Sequence, residues 1–330
     1  MNPFGENSRL TRYLVTVLFL VAYCTQTMAQ STWPTKPVRI VIPVPPGGSQ
    51  DTLGRGAGAE LTKIWGQPVV VESRPGAGGI TAADAVAKSS ADGYTLLMSD
   101  EVPLILTPLL HKTLPYDPAK DFIPVVTLAQ SSSIVVAPAS APFNSMAELI
   151  ATAKVKPGTI NFASFGPGST SHLNTEDFAV QAGITLTHVP YKGGAEIMRG
   201  LMSSDINFAF TGLAAAVPLI KQGRIKAIGF AGEVRLPLFP EVPTVSETLP
   251  GFQTRAWFGW MAPAGTPRPV VDKIAADVAR VIANPSFKEK FLDSAGLAPY
   301  SLTPDQFQQL VTTTRAKYQV LVKKLKLEPS

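Results

Sequence analysis

Cysteine is almost absent: Cys24 is the sole one in 330 residues, and it lies in the N-terminal segment. A disulfide framework is thereby excluded, and so is a cysteine-based zinc site. Histidine is scarce too. His111, His172 and His188 form no H-E-x-x-H or other metal-ligand spacing, so no metal and no cofactor is expected. Charged residues make up only 16% of the chain. They form no Lys/Arg-rich block and do not interleave with aromatics, which argues against a nucleic-acid partner. Lys317, Lys323, Lys324 and Lys326 read as the solvated face of a terminal helix.

The N-terminus carries an export pattern. Arg9 and Arg12 precede an apolar stretch over 13–23, and Thr27-Met28-Ala29 offers small residues for cleavage before Gln30. A basic region, a short apolar core and an A-x-A-like site read as a signal peptide over residues 1–29 and a periplasmic mature chain. The apolar run is short of the about 20 residues that span a bilayer. Cys24 raises a lipoprotein alternative, but Tyr23 is bulky where a lipobox wants Gly or Ala. Cleavage removes Arg9, Arg12 and Glu6, leaving the formal charge at +4 instead of +5. A mild positive excess of this kind helps attract an anion only weakly.

Glycine is abundant where strands turn into helices. An apolar run at 38–42 ends in PVPPGGSQD (Pro43 to Asp51). Val69-Val70-Val71 leads to RPGAGG (Arg74 to Gly79), and a third run at 160–163 leads to SFGPGSTSHL (Ser164 to Leu173). Each turn leaves backbone N–H groups converging at a helix N-terminus, with the positive end of the helix dipole behind them. One such turn is an ordinary tight turn. Three in one chain suggest a cleft for a small anion.

The pattern alternates strand and helix. Strands are expected at 38–44, 68–72 and 94–98, with helices at 51–65 and 80–88 between them. The pattern loosens through PYDPAKDF (Pro115 to Phe122) and Gln130-Ser131-Ser132-Ser133, then resumes. Helices at 145–153, 170–182, 195–202 and 213–222 alternate with strands at 159–163, 184–189, 206–210 and 226–231. A strand at 257–261 follows, then helices at 267–283, 286–294 and 304–327, the last capped by Thr303. The fold class is α/β, in two parallel-sheet lobes with C-terminal helices. The alternation suggests lobes at 30–130 and 131–254. A ligand then sits between the lobes, beyond the strand ends where the glycine turns lie.

In this order, IVIPVPPGGSQD, VVVESRPGAGG, DGYTLLM, KTLPYDPAKDF, HVPYKGG, FPEVPTVSETLPGF and MAPAGTP carry a family likeness. The chain resembles the Bug, or TctC-like, periplasmic solute-binding receptors of tripartite tricarboxylate transporters, from Trp33 to the C-terminus. The resemblance implies a type II periplasmic binding protein, a Venus flytrap that closes on a small carboxylate and docks on the membrane permease subunits. It implies that roughly 255–330 completes the first lobe and that there is no catalysis; a monomer is expected. Carried over by position, the first-lobe cradle is Gly47, Gly48, Ser49 and Asp51 with Gly76, Ala77, Gly78 and Gly79. The second lobe adds Gly166, Gly168, Ser169, Thr170, Ser171, Tyr191 and Lys192. Backbone N–H groups and hydroxyls hold a carboxylate without a buried arginine. Asp51 suits capping its own helix or bonding loop amides better than touching an anion.

Three departures stand out. Val44 occupies a position where many relatives have an aromatic, and Ser73 replaces the commoner Asn. MSDEVPLILTP (Met98 to Pro108) replaces a stretch that relatives make small and polar, with Thr107 where they have Asn. Asp100 and Glu101 therefore follow a strand at the lip of the cleft. Facing the ligand, they favour one whose far end is neutral or donates hydrogen bonds; otherwise they face water or cap a helix.

Two other functions deserve weighing. A carboxylate sensor feeding a signalling kinase uses the same fold. An exported hydrolase of small esters or amides can be drawn from Ser169, His172 and Asp177, but G-x-S-x-G is absent. A Ser and a His three apart at a helix start are more simply a cap and a packed ring. The Gly54 to Gly58 run lies inside a helix, not in a turn, and makes a poor dinucleotide fingerprint.

Overall fold

The computed structural model describes residues 33–327 and 329, so the expected leader at 1–29 lies outside the described residues. β1 (Val38–Ile42) is followed by α1 (Ser49–Trp65), β2 (Val69–Ser73), α2 (Ile80–Ala87) and β3 (Thr95–Ser99). β1 lies parallel to β2 on one side and to β3 on the other. α1 buries Leu53, Ala57, Leu61 and Trp65, one turn apart, and ends where Gly66 turns left-handed at φ 65. The Gly54 to Gly58 run serves close packing. A Cβ on Gly54 would lie 2.9 Å from Met98 Sδ, and one on Gly56 would lie 2.7 Å from the Phe291 ring.

After β3 a π-helical turn, Val102–Leu106, leads into α3 (Thr107–Leu110). The stretch that reads as a loosened pattern holds β4 (Phe122–Ser131) and β5 (Ile134–Pro138), two strands the alternation did not predict. They are one apolar run broken by Ser132 and Ser133, and they belong to different sheets. The second sheet continues through α4 (Met146–Val155), β6 (Asn161–Ser164), α5 (Thr170–Ala182), β7 (Thr187–Pro190) and α6 (Gly194–Met202). β8 (Phe208–Thr211), α7 (Leu213–Lys221) and β9 (Ile225–Phe230) complete it. The chain then passes α8 (Val245–Thr248) and returns to the first sheet as β10 (Ala256–Pro263). α9 (Arg268–Ile282), β11 (Ala298–Pro299) and α10 (Pro304–Lys324) follow; the helix expected at 286–294 is a series of short π and 3-10 turns.

The strand orders are β11-β4-β10-β3-β1-β2 and β7-β6-β8-β5-β9. Each sheet is parallel among its βαβ strands and antiparallel where a crossing strand enters. β10 runs against β3 and β4, and β5 runs against β8 and β9. A strand arriving from the other lobe has no crossover helix to reverse it, so it pairs head to tail. The crossings are tied together. Ala231 N–H donates to Ser133 O at 2.8 Å, Ser133 N–H to Thr254 Oγ1 at 3.0 Å, and Thr254 N–H to Ala231 O at 2.9 Å.

α10 starts at the Thr303 cap, where Gln306 and Thr303 bond reciprocally. Its Phe307 meets Trp257 edge-on at 4.8 Å and lies over Gly259, where a Cβ would come within 2.5 Å of the ring. Further along, Arg315 Nη2 donates to Leu104 O at 3.2 Å and Lys317 pairs with Asp177 of α5 at 2.8 Å. α10 thus straddles both lobes. Among the described residues, no helix is long and apolar enough to cross a membrane, and no cluster of His, Cys, Asp or Glu is placed to hold a metal ion.

Candidate functional site

Three glycine turns and the π-turn ring the C-terminal strand ends. At the first turn, Gly47, Gly48 and Ser49 are exposed. Asp51 accepts the Gly47 N–H at 3.0 Å and the Arg55 Nε–H at 2.8 Å, so its carboxylate organises the loop. At the second, Gly76, Ala77, Gly78 and Gly79 all have positive φ (130, 47, 61 and 86). Ala77 holds this conformation with a Cβ, at a cost of about 1–2 kcal/mol, so the turn is over-determined by its surroundings. Those surroundings are the π-turn. Thr107 Oγ1 donates to Gly78 O at 3.1 Å, and a Cβ on Gly79 would lie 2.9 Å from Pro103.

The third turn is the most braced. Ser169 caps α5 by accepting the His172 N–H at 3.3 Å, and its hydroxyl donates to Gly166 O at 2.6 Å. Ser171 Oγ accepts the Phe165 N–H at 3.1 Å. Beneath lies a stack of rings: His172 and His188 are 4.0 Å apart at 18°, with Phe162 5.0 Å from His188. His172 Nδ1 accepts the Gly168 N–H at 3.0 Å, so its proton sits on Nε2, 3.8 Å from Glu176 Oε1. Burial, and then the neighbouring His188, push His172 down to about 4. His188 shares a 2.6 Å hydrogen bond with the fully buried Ser164, which also accepts the Gly166 N–H. With Nδ1 of His172 so engaged, the ring supports the loop and is not aimed at the Ser169 hydroxyl.

The acidic pair does not stand at an open lip. Asp100 accepts the Val102 N–H at 2.9 Å and the Gln50 Nε2–H at 2.9 Å, which caps the π-turn. Glu101 is 1% exposed and accepts the Trp257 backbone N–H; its Oε2 has no hydrogen-bond partner among the described residues. Burial first, and the Asp100 charge second, push Glu101 up to about 8, and burial raises Asp100 as well. Tyr318 of α10 shares this region, its hydroxyl held well above the usual range by burial and then by Glu101. Trp257 and Trp260 are core residues, 1% and 0% exposed.

Between the sheets opens a cleft of about 500 Å³. Of the residues expected at the site, Gly168, Ser169, Thr170 and Ser171 line it. A smaller recess of about 180 Å³ beside it takes Ser49 and Thr170. Gly47, Gly48, Asp51, Gly76, Ala77, Gly78, Gly79, Asp100, Glu101, Gly166, Tyr191 and Lys192 are not in either wall. Tyr191 packs instead against Gly200, and the Lys192 N–H donates to Glu196. The wall also contains residues that sequence reasoning missed: Val102, Leu106 and Leu110 on one side, Asn174, Phe210 and Thr211 on the other. The i, i+4, i+8 spacing of Val102, Leu106 and Leu110 was the available signal.

The sequence matches the tripartite tricarboxylate transporter family receptor over residues 53–327. It is 33% identical over 305 residues to Protein BugT of Bordetella pertussis, covering 90% of this chain and 92% of that one. A solved R. palustris structure with adipate is similar at 34% identity and TM-score 0.75, over 90% of this chain and 100% of that one. MatC from Rhodopseudomonas palustris with bound malate gives 31% identity and TM-score 0.69, over 88% of this chain and 100% of that one. On the span of these matches, the chain belongs to the TctC family of tripartite tricarboxylate transporter receptors.

Proposed function

We propose that this chain is an exported receptor that captures a small carboxylate between its lobes and delivers it to the permease of a tripartite transporter. One observation carries the reading: the Gly168–Ser171 turn presents the Thr170 and Ser171 hydroxyls and the N-terminus of α5 to a cleft whose larger wall contains no Lys, Arg, Asp or Glu. Such a wall receives an anion by hydrogen bonds and the helix dipole. Relatives solved with adipate and malate support the ligand class. In the open state one lobe takes up the acid; closure about the Ser133–Ala231–Thr254 crossing adds donors and excludes water. The first-lobe turns at Gly47–Ser49 and Gly76–Gly79, outside the larger wall, engage on closure. Docking on the permease places this capture upstream of transport, in the periplasm.

The test is a thermal-shift series against mono- and dicarboxylates, each paired with its primary amide. Bound ligand raises apparent stability by RT ln(1 + [L]/Kd). At least one acid should raise Tm while its amide does not. Equal shifts for acid and amide would refute anion capture, and co-purification with a sensor kinase in place of a permease would refute delivery.

A further inference from the structure

The π-turn and α3 turn three apolar side chains, Val102, Leu106 and Leu110, into the cleft as a stripe one helical turn apart. Facing them from the β6–α5 turn is Phe165, an aromatic side chain left 47% exposed. Four polar groups of the wall, Ser169, Thr170, Ser171 and Asn174, gather around the start of α5; Thr107 and His111 lie on the same segment as the stripe, and Ser133 and Thr211 complete the polar lining. Hydrogen-bonding groups are therefore densest at the start of α5, and the apolar stripe lies opposite, with Leu110 packed against Gly168.

A second carboxylate would fit this cleft badly. Lodged against the Val102–Leu106–Leu110 stripe, it would give up water without gaining a permanent cation, because no Lys or Arg lines the larger cleft and His111, after Leu110, is the one basic side chain in its wall. Asp100 supplies no help, being an acid already bonded to Gln50 and to the Val102 N–H, and Glu101 lies in the core. An apolar group placed there instead removes the exposed Phe165 ring from water and meets it at van der Waals distance.

Resting on the carboxylate-capture reading, we infer that the preferred ligand is a monocarboxylic acid with an aromatic or branched aliphatic body. Its carboxylate is held at the start of α5, and its body lies between Phe165 and the Val102–Leu106–Leu110 stripe. Selectivity against hydroxylated dicarboxylates is carried by those apolar side chains. Asp100 contributes indirectly, by capping the turn that displays them.

Calorimetry on the full chain with benzoate, cyclohexanecarboxylate, 4-methylpentanoate, malate and citrate tests this. At least one of the three apolar acids should bind about tenfold or more tighter than malate or citrate, the scale on which an apolar pocket discriminates. Val102→Thr keeps shape and Phe165→Ala removes an exposed ring, so both variants should fold; circular dichroism checks that. Each should weaken the apolar acid by about tenfold and narrow its advantage over malate. Malate or citrate binding as tightly as the apolar acids would overturn the inference and leave carboxylate capture standing. Undiminished preference in both variants would overturn it too. Binding by none of the five acids would count against both readings.

Discussion

His172 and Gly168 are joined by a buried hydrogen bond in which the glycine N–H donates to the imidazole Nδ1 at 3.0 Å. Gly168 is itself in the cleft wall, so the ring fixes the height of the cleft-facing turn. His172→Phe should leave that N–H unpaired, at a cost of about 1–3 kcal/mol, and weaken carboxylate binding. His172→Asn carries an amide oxygen where Nδ1 stood and should restore both. Denaturation and calorimetry on the two variants check this; equal loss in both would mean the ring only fills space.

The same residue sets an acid limit. His172 is held at about 4, below its ordinary 6.5, by burial and by His188. A depressed folded-state value means the unfolded chain takes up the proton first as pH falls. Stability present above about 6.5 is therefore lost progressively down to about 4, by roughly 3 kcal/mol at most. His172→Asn should flatten that limb in urea titrations at pH 7, 5.5 and 4.

Glu101 acts in the opposite direction. Its folded value of about 8 exceeds the ordinary 4.5, so the protonated form is favoured in the fold. The contribution is complete below about 4.5 and is lost as pH rises through 8. Asp100, Tyr318 and the Lys317–Asp177 pair lie in the same region. Glu101→Gln should be a few kcal/mol more stable than the parent at pH 9 and close to it at pH 5. A parent-like stability profile across that range would contradict a buried, protonated Glu101.

Lys317 and Asp177 bridge α10 and α5 across the lobes at 2.8 Å. Lys317 is partly exposed, so the pair is worth roughly 1 kcal/mol or less. Lys317→Met should lower ligand affinity by up to about fivefold by loosening the contact between α10 and α5. Small-angle scattering of the ligand-free variant should show a larger radius of gyration. Unchanged affinity and radius would mean that the pair persists through opening.

Much of this architecture was legible from local signals. Ser169 and Gly183 bracket α5 as a cap and a left-handed stop, and Thr303 with Gln306 opens α10. β4 and β5 were not legible, because their signal is one apolar run whose break at Ser132 and Ser133 reads as a loop. Pairing with β10, β8 and β9 is long-range, so no local pattern announces it. At the site, the serine and glycine turn of the second lobe was visible as a motif. The stretch from Met98 to Pro108 drew attention through its two acids. The residues it delivers to the cleft wall are Val102, Leu106 and Thr107, with Val102 half-buried and Leu106 still mostly in the core, while Glu101 packs near Trp257 and Tyr318. Which side of a short turn faces the cleft depends on tertiary packing.

The most direct test is a crystal structure of the protein with the tightest-binding acid of the calorimetric panel. The account predicts the acid between the two sheets, its carboxylate oxygens within hydrogen-bonding distance of Thr170 or Ser171, and its body against Phe165, Val102 and Leu110. An acid bound outside the cleft, or with its carboxylate turned toward the Val102–Leu106–Leu110 stripe, would contradict it.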